Sequence, residues 1–122
     1  MRKDFMTLDV WKSAHLLALE ICKLAKKLPD SDEEYGAGFE VCQTAIQIPA
    51  GIARACALEE ESEFRECLKE ARMELRHVDM QLIVMRDLGH LSPAACDRLL
   101  EKSEEVRELF DQTIRGKKVS KT

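Results

Sequence analysis

Apolar residues recur along most of this chain at alternating steps of four and three. Val10, Ala14, Leu17, Ile21, Leu24 and Leu28 follow that rhythm, which is the seam a helix turns toward a bundle core. Trp11, Ala18 and Ala25 widen the same face, and Pro29 follows at once. The spacing predicts a first helix over residues 9–28. A second helix over 35–57 turns Val41, Ala45, Ile48 and Ile52 inward. Pro49 and Gly51 fall inside it, so a kink or a break near Pro49 is expected, because proline removes a backbone hydrogen bond and crowds the preceding turn.

The clearest pattern belongs to a third helix over 60–88, where Phe64, Leu68, Ala71, Leu75, Val78, Leu82 and Met85 keep the four-three rhythm throughout. Glu59, Glu60, Glu61 and Glu63 crowd its start, where the helix dipole favours negative charge. Gly89 supplies a left-handed stop. Ser92 and Pro93 form an N-cap and first position for a fourth helix that reaches about residue 115, before Gly116. Its inner face is Leu99, Val106 and Phe110, with Ser103 and Thr113 filling in. The expected fold is all-α: an antiparallel up-down-up-down four-helix bundle, since short connections force neighbours to run in opposite directions. The bundle is expected over 1–115, with a short tail over 116–122.

Composition fits that picture. Hydrophobic residues make up 45% and charged residues 34%, and 5 Gly and 3 Pro leave few places to turn. No apolar run is long enough to span a bilayer, and the first residues contain no signal-like apolar stretch. A cytoplasmic protein that meets no membrane is the expectation. The five cysteines (Cys22, Cys42, Cys56, Cys67 and Cys96) are scattered and form no C-x-x-C pair, so they read as buried free thiols. The net charge of −4 is uneven, because Arg115, Lys117, Lys118 and Lys121 sit in a tail with no carboxylate. Taking those four positive charges away leaves −8 on residues 1–114, an acidic body that disfavours general binding of polyanions.

Two helices carry more apolar residues than one core requires. At about 100° per residue, Met73, His77, Met80 and Val84 gather opposite the seam of the third helix, where a lone bundle should be polar. Leu16 and Leu19 do the same on the first helix. These six residues are the candidate contact between subunits. Beside them the third helix carries a basic row (Arg65, Lys69, Arg72, Arg76) and an acidic row (Glu63, Glu66, Glu70, Glu74). Rows of opposite sign resemble the flanks that set partner and orientation in coiled coils. Alternatively, the basic row and the basic tail track a phosphate backbone in RNA or DNA.

No chemistry emerges. A di-iron bundle needs two Glu-x-x-His motifs with further glutamates, whereas Glu74-Leu-Arg-His77 occurs once and lies off the seam. His15 and His90 have no ligand or catalytic partner at helical spacing. Neither a P-loop nor a dinucleotide-binding glycine pattern is present. The expectation is a protein that is not an enzyme, with no cofactor, no metal and no small-molecule substrate.

Several segments, taken in order, carry a resemblance: Leu8-Asp9-Val10-Trp11-Lys12-Ser13-Ala14, Leu28-Pro29, Glu34-Tyr35-Gly36, Ile48-Pro49-Ala50-Gly51-Ile52-Ala53, Glu63-Phe64 and Leu88-Gly89-His90-Leu91-Ser92. With them the chain resembles the four-helix-bundle proteins encoded in intervening sequences of 23S rRNA genes, a bacterial family related to accessory proteins of diversity-generating retroelements. The resemblance implies a homo-oligomer, specifically a pentamer, and for the retroelement relatives binding to nucleic acid. The chain departs from the family pattern at Cys42 and Gln43, where relatives carry arginines. It also reads Gly51-Ile52-Ala53-Arg54-Ala55 where relatives have Asn-Ile-Ala-Glu-Gly. The combined expectation is a self-assembling helical module whose partner is first of all itself. The alternative is an RNA- or DNA-binding accessory protein.

Overall fold

A computed structural model describes residues 4–28 and 36–116. A 3-10 turn, Phe5–Thr7, leads into α1 (Asp9–Ala25), α2 (Ala37–Cys56), α3 (Glu61–Asp87) and α4 (Pro93–Ile114). Among the described residues there is no strand. The short entry turn, which the apolar rhythm does not reveal, is capped by Asp4, whose Oδ1 accepts from the Met6 amide at 2.9 Å.

The predicted termini are close to the observed ones, and each deviation has a local cause. α1 stops at Ala25, not at 28, because the chain tightens first: the amides of Lys27 and Leu28 bond the carbonyls of Leu24 and Ala25. Such bonds to the third residue back are 3-10 geometry, and Leu28 precedes a proline, which disfavours α conformation. Tyr35, the expected start of α2, lies outside the described residues. α2 is helical without interruption through Pro49. Proline costs a helix interior about 3 kcal/mol, but Ile48 and Ile52 on either side are fully buried, and their packing holds the helix together. Gly89 and Gly116 adopt φ of 87° and 70°, ending α3 and α4 in the left-handed conformation. The Ser92 hydroxyl accepts from the Ala95 amide at 3.1 Å and caps α4.

The helices pack as α1 on α2, α2 on α3, α3 on α4 and α4 on α1. α1 and α3 therefore stand at diagonal corners. Along the α3–α4 seam, Arg65 reaches Ile114, Arg72 reaches Asp111, Arg76 reaches Glu104 and Cys96 reaches Leu82, so numbering rises on one helix as it falls on the other. Between them the helices enclose one core, with Leu17, Ile21, Ile48, Ile52, Leu68, Leu75, Leu82, Leu99 and Phe110 fully buried. Ser103 is also buried, as the α4 pattern anticipates, and Asp79 joins it from α3.

Close approach of α2 to its neighbours depends on glycine. A β-carbon at Gly51 would stand 2.6 Å from that of Ala71, and one at Gly38 would stand 2.8 Å from the Ala25 carbonyl oxygen. Both are shorter than van der Waals contact allows, so the absence of a side chain sets how near α1 and α3 lie to α2.

The cysteine expectation needs correction. Cys22 of α1 and Cys42 of α2 form a disulfide, with their α-carbons 4.8 Å apart, while Cys67 and Cys96 remain thiols. Cys22 lies near the end of α1 and Cys42 near the start of α2. The fold brings these positions face to face across the helix pair, and no spacing in the sequence marks them out.

Two stability measurements check this packing. Gly51→Ala should lower the unfolding free energy by about 1–3 kcal/mol through overpacking, and adding Ala71→Gly in the same chain should recover part of the loss. The disulfide spans a sequence separation of 20. Opening a loop of that size, by Cys42→Ser, should cost about 3 kcal/mol. Urea titration with circular dichroism reads both.

Candidate interaction surfaces

α1 and α3 each bury one arc of their circumference, so what lies opposite that arc is pointed at solvent. On α1 this places Leu16 (64% exposed) and Leu19 (42%) on the outer corner; on α3 it places Met73 (68%), Met80 (56%) and Val84 (47%) there, beside exposed His77. All six predicted contact residues are thus at the surface. They form two stripes, not one: because α1 and α3 are diagonal, the stripes face away from each other across the bundle.

Other residues extend these surfaces. Leu88 is 64% exposed, and it continues the Met80–Val84 line by another step of four, a spacing that was legible in the sequence. A groove of about 230 Å³ runs beside that line, walled by Ala37 and Glu40 of α2 and by Met80, Gln81, Val84, Met85 and Leu88. It is smaller than the pockets that enclose drug-sized ligands and matches the bulk of one or two side chains. Phe39 and Ile46 of α2 are also partly exposed; they lie seven residues apart, too few to signal a stripe. At the start of the chain Trp11 stacks on His15 with centroids 4.7 Å apart, and the Phe5 ring meets Trp11 edge-on.

The two charged rows of α3 have different fates. The basic row faces α4 and is engaged within the fold. Arg65 donates from Nε to the Ile114 carbonyl and pairs with Glu61. Lys69 pairs with Glu66 at 3.2 Å. Arg72 meets Asp111 at 2.5 Å, and Arg76 meets Asp79 at 2.9 Å and Glu104 at 3.6 Å. On the acidic row Glu74 lies 3.4 Å from the His77 ring, whereas Glu63 and Glu70 take part in no ion pair among the described residues. Of the predicted basic tail, Arg115 is exposed just past α4, and Lys117, Lys118 and Lys121 lie outside the described residues.

Two ionisable groups are shifted from their ordinary values, one in the core and one at the end of α3. Burial pushes the Cys96 thiol pKa above its ordinary value, and its Sγ contacts the Leu82 carbonyl at 3.7 Å. That is the setting of a packed sulfhydryl and not of a nucleophile, which needs a lowered pKa. The Arg86 guanidinium is held above its ordinary value by its hydrogen bond to Asp87. Among the described residues no three His, Cys, Asp or Glu side chains converge as a metal site, and no helix is long and apolar enough to cross a membrane.

A search of curated proteins gave no match. A comparison with family models matched residues 6–112 to the 23S rRNA-intervening sequence proteins. That match runs from the entry turn to near the end of α4, and the helices it covers carry the expected apolar seams. The chain belongs to the 23S rRNA-intervening sequence protein family.

Proposed function

We propose that this protein is a non-enzymatic, self-assembling helical module whose first partner is another copy of itself. The observation that carries this reading is the pair of exposed apolar stripes, Leu16 and Leu19 on α1 and Met73, Met80 and Val84 on α3. Single surface apolar residues are ordinary, but aligned ones on a helix whose opposite face already fills the core are a mark of association. The groove beside Met80 and Val84 adds a recess of side-chain size. Family resemblance makes five subunits the expected number, while the stripes call only for association.

Nucleic-acid binding is the rival reading, through Arg65, Lys69, Arg72, Arg76 and the basic tail. Each cation of that row already has a partner in the fold, and the exposed carboxylates of Glu63 and Glu70 line the opposite flank of the same helix. A phosphate would have to displace those partners and tolerate the carboxylates, so the assembly reading has the better support. Binding of structured RNA or duplex DNA that weakens steeply with salt would favour the rival.

Light scattering should give the wild type a mass several times 13.9 kDa. Met80→Glu should shift that mass toward the single chain while circular dichroism keeps its helical signal, because a buried ion costs several kcal/mol in an interface. On a surface that stays wet the same change costs within about 0.5 kcal/mol. A wild type that runs as a single chain at micromolar concentration would overturn the proposal.

A further inference from the structure

The Cys22–Cys42 disulfide lies at the edge of the core and not inside it, since both cysteines are only half-buried. Beneath it Ile21 and Ala25 of α1 and Val41 and Ala45 of α2 are buried, and Gly38 lets α2 approach the Ala25 carbonyl. Apolar packing therefore holds α1 against α2 whether or not the two sulfurs are joined. The Cys22 Sγ also lies 3.7 Å from the Cys42 carbonyl oxygen, so a thiol released at Cys22 has an acceptor in place. Lys23 stands next to Cys22 and Lys26 one helical turn beyond it. Both are exposed, and neither enters an ion pair among the described residues. Their charge draws an anionic thiolate toward the bond.

We propose that Cys22 and Cys42 form a reversible redox latch on the first turns of α2, opened by a small anionic thiol of the glutathione type. An incoming thiolate attacks one sulfur, forms a mixed disulfide with it and expels the other sulfur as a thiolate, which takes up a proton. A second thiolate then attacks the mixed disulfide and frees the first cysteine. Two electrons pass to the protein, which gains two thiols, while two reductant thiols leave as one disulfide; that disulfide closes the latch by the reverse steps. The latch holds the start of α2, where Gly36 supplies no capping side chain. Ala37 and Glu40 in the same stretch wall the groove beside Met80 and Val84. Opening the bond loosens residues 36–42, and the groove wall with them, while buried Ile48 and Ile52 keep the rest of α2 in the core. The latch acts within one chain and does not depend on copies associating.

Glutathione and its disulfide, mixed in graded ratios with the wild type, test this. Mass spectrometry after alkylation should show the bond opening and reclosing as the ratio changes, while circular dichroism keeps its helical signal. In the reduced protein, amide hydrogen exchange over residues 40–46 should rise by about tenfold or more, and exchange over 64–85 should stay within about twofold. Cys22→Ser/Cys42→Ser should exchange like the reduced wild type and ignore the glutathione ratio, although Cys56, Cys67 and Cys96 remain as thiols. A bond that opens only as the helical signal is lost is a structural staple, and that result overturns the proposal. Reduction that leaves exchange over 40–46 unchanged overturns it as well. So does a double variant whose exchange still follows the ratio, since the response then belongs to the other thiols. Should the double variant not fold, the wild-type titration decides alone.

Discussion

α3 buries Phe64, Leu68, Ala71, Leu75, Val78, Leu82 and Met85 between α2 and α4, and this single arc orients everything around it. A helix can turn only one side to the core, so fixing that arc also fixes which side faces outward. The outward side of α3 happens to be apolar, and so is that of α1. Since the two helices stand at diagonal corners with these residues turned outward, their spare apolar surfaces cannot cover one another within a single chain. The bundle satisfies its core and leaves two apolar stripes in water, about 0.025 kcal/mol of unfavourable free energy for each Å² exposed. Association is the physical response open to such a surface.

Electrostatics then separates the charged residues by use. The basic row of α3 stitches α3 to α4 through Arg65, Arg72 and Arg76. Pairs this exposed contribute little to stability individually, but they occupy the cations that a phosphate would otherwise find. Among the described residues, Lys12, Lys23 and Lys27 at the α1 corner and Glu63 and Glu70 at the α3 corner are among the charges that no ion pair engages. That division was invisible while the two rows of α3 were read as equivalent flanks. It appears only once α4 is known to lie against one of them.

Close packing at α2 supports the same arrangement. Gly38 and Gly51 let α2 approach the backbone near Ala25 and the side chain of Ala71, and the Cys22–Cys42 disulfide fastens α1 to α2 close to the first of these contacts. With α2 held against both neighbours, the diagonal placement of α1 and α3 is held as well. The groove beside Met80 and Val84 is bounded on its far side by Ala37 and Glu40 of α2, so the shape of the α3 surface depends on that clamp.

The helices were legible in the sequence because a helix is a local object. The four-three seams of α1 and α3, Ser92 and Pro93 at the start of α4, and the glycines at 89 and 116 each act within a few residues of their own position. The six stripe residues were legible for the same reason, since the angle around one helix axis follows from spacing alone. What spacing could not supply was anything that depends on two helices at once. Cys22 and Cys42 read as separate thiols until α1 and α2 were laid together, and the Arg65–Arg76 row read as free until α4 supplied Asp111, Glu104 and the Ile114 carbonyl. Leu16 and Met80 could have shared one surface or faced apart. That they face apart was decided by which helices are neighbours, because packing partners and not helical period determine the direction in which an outer face points.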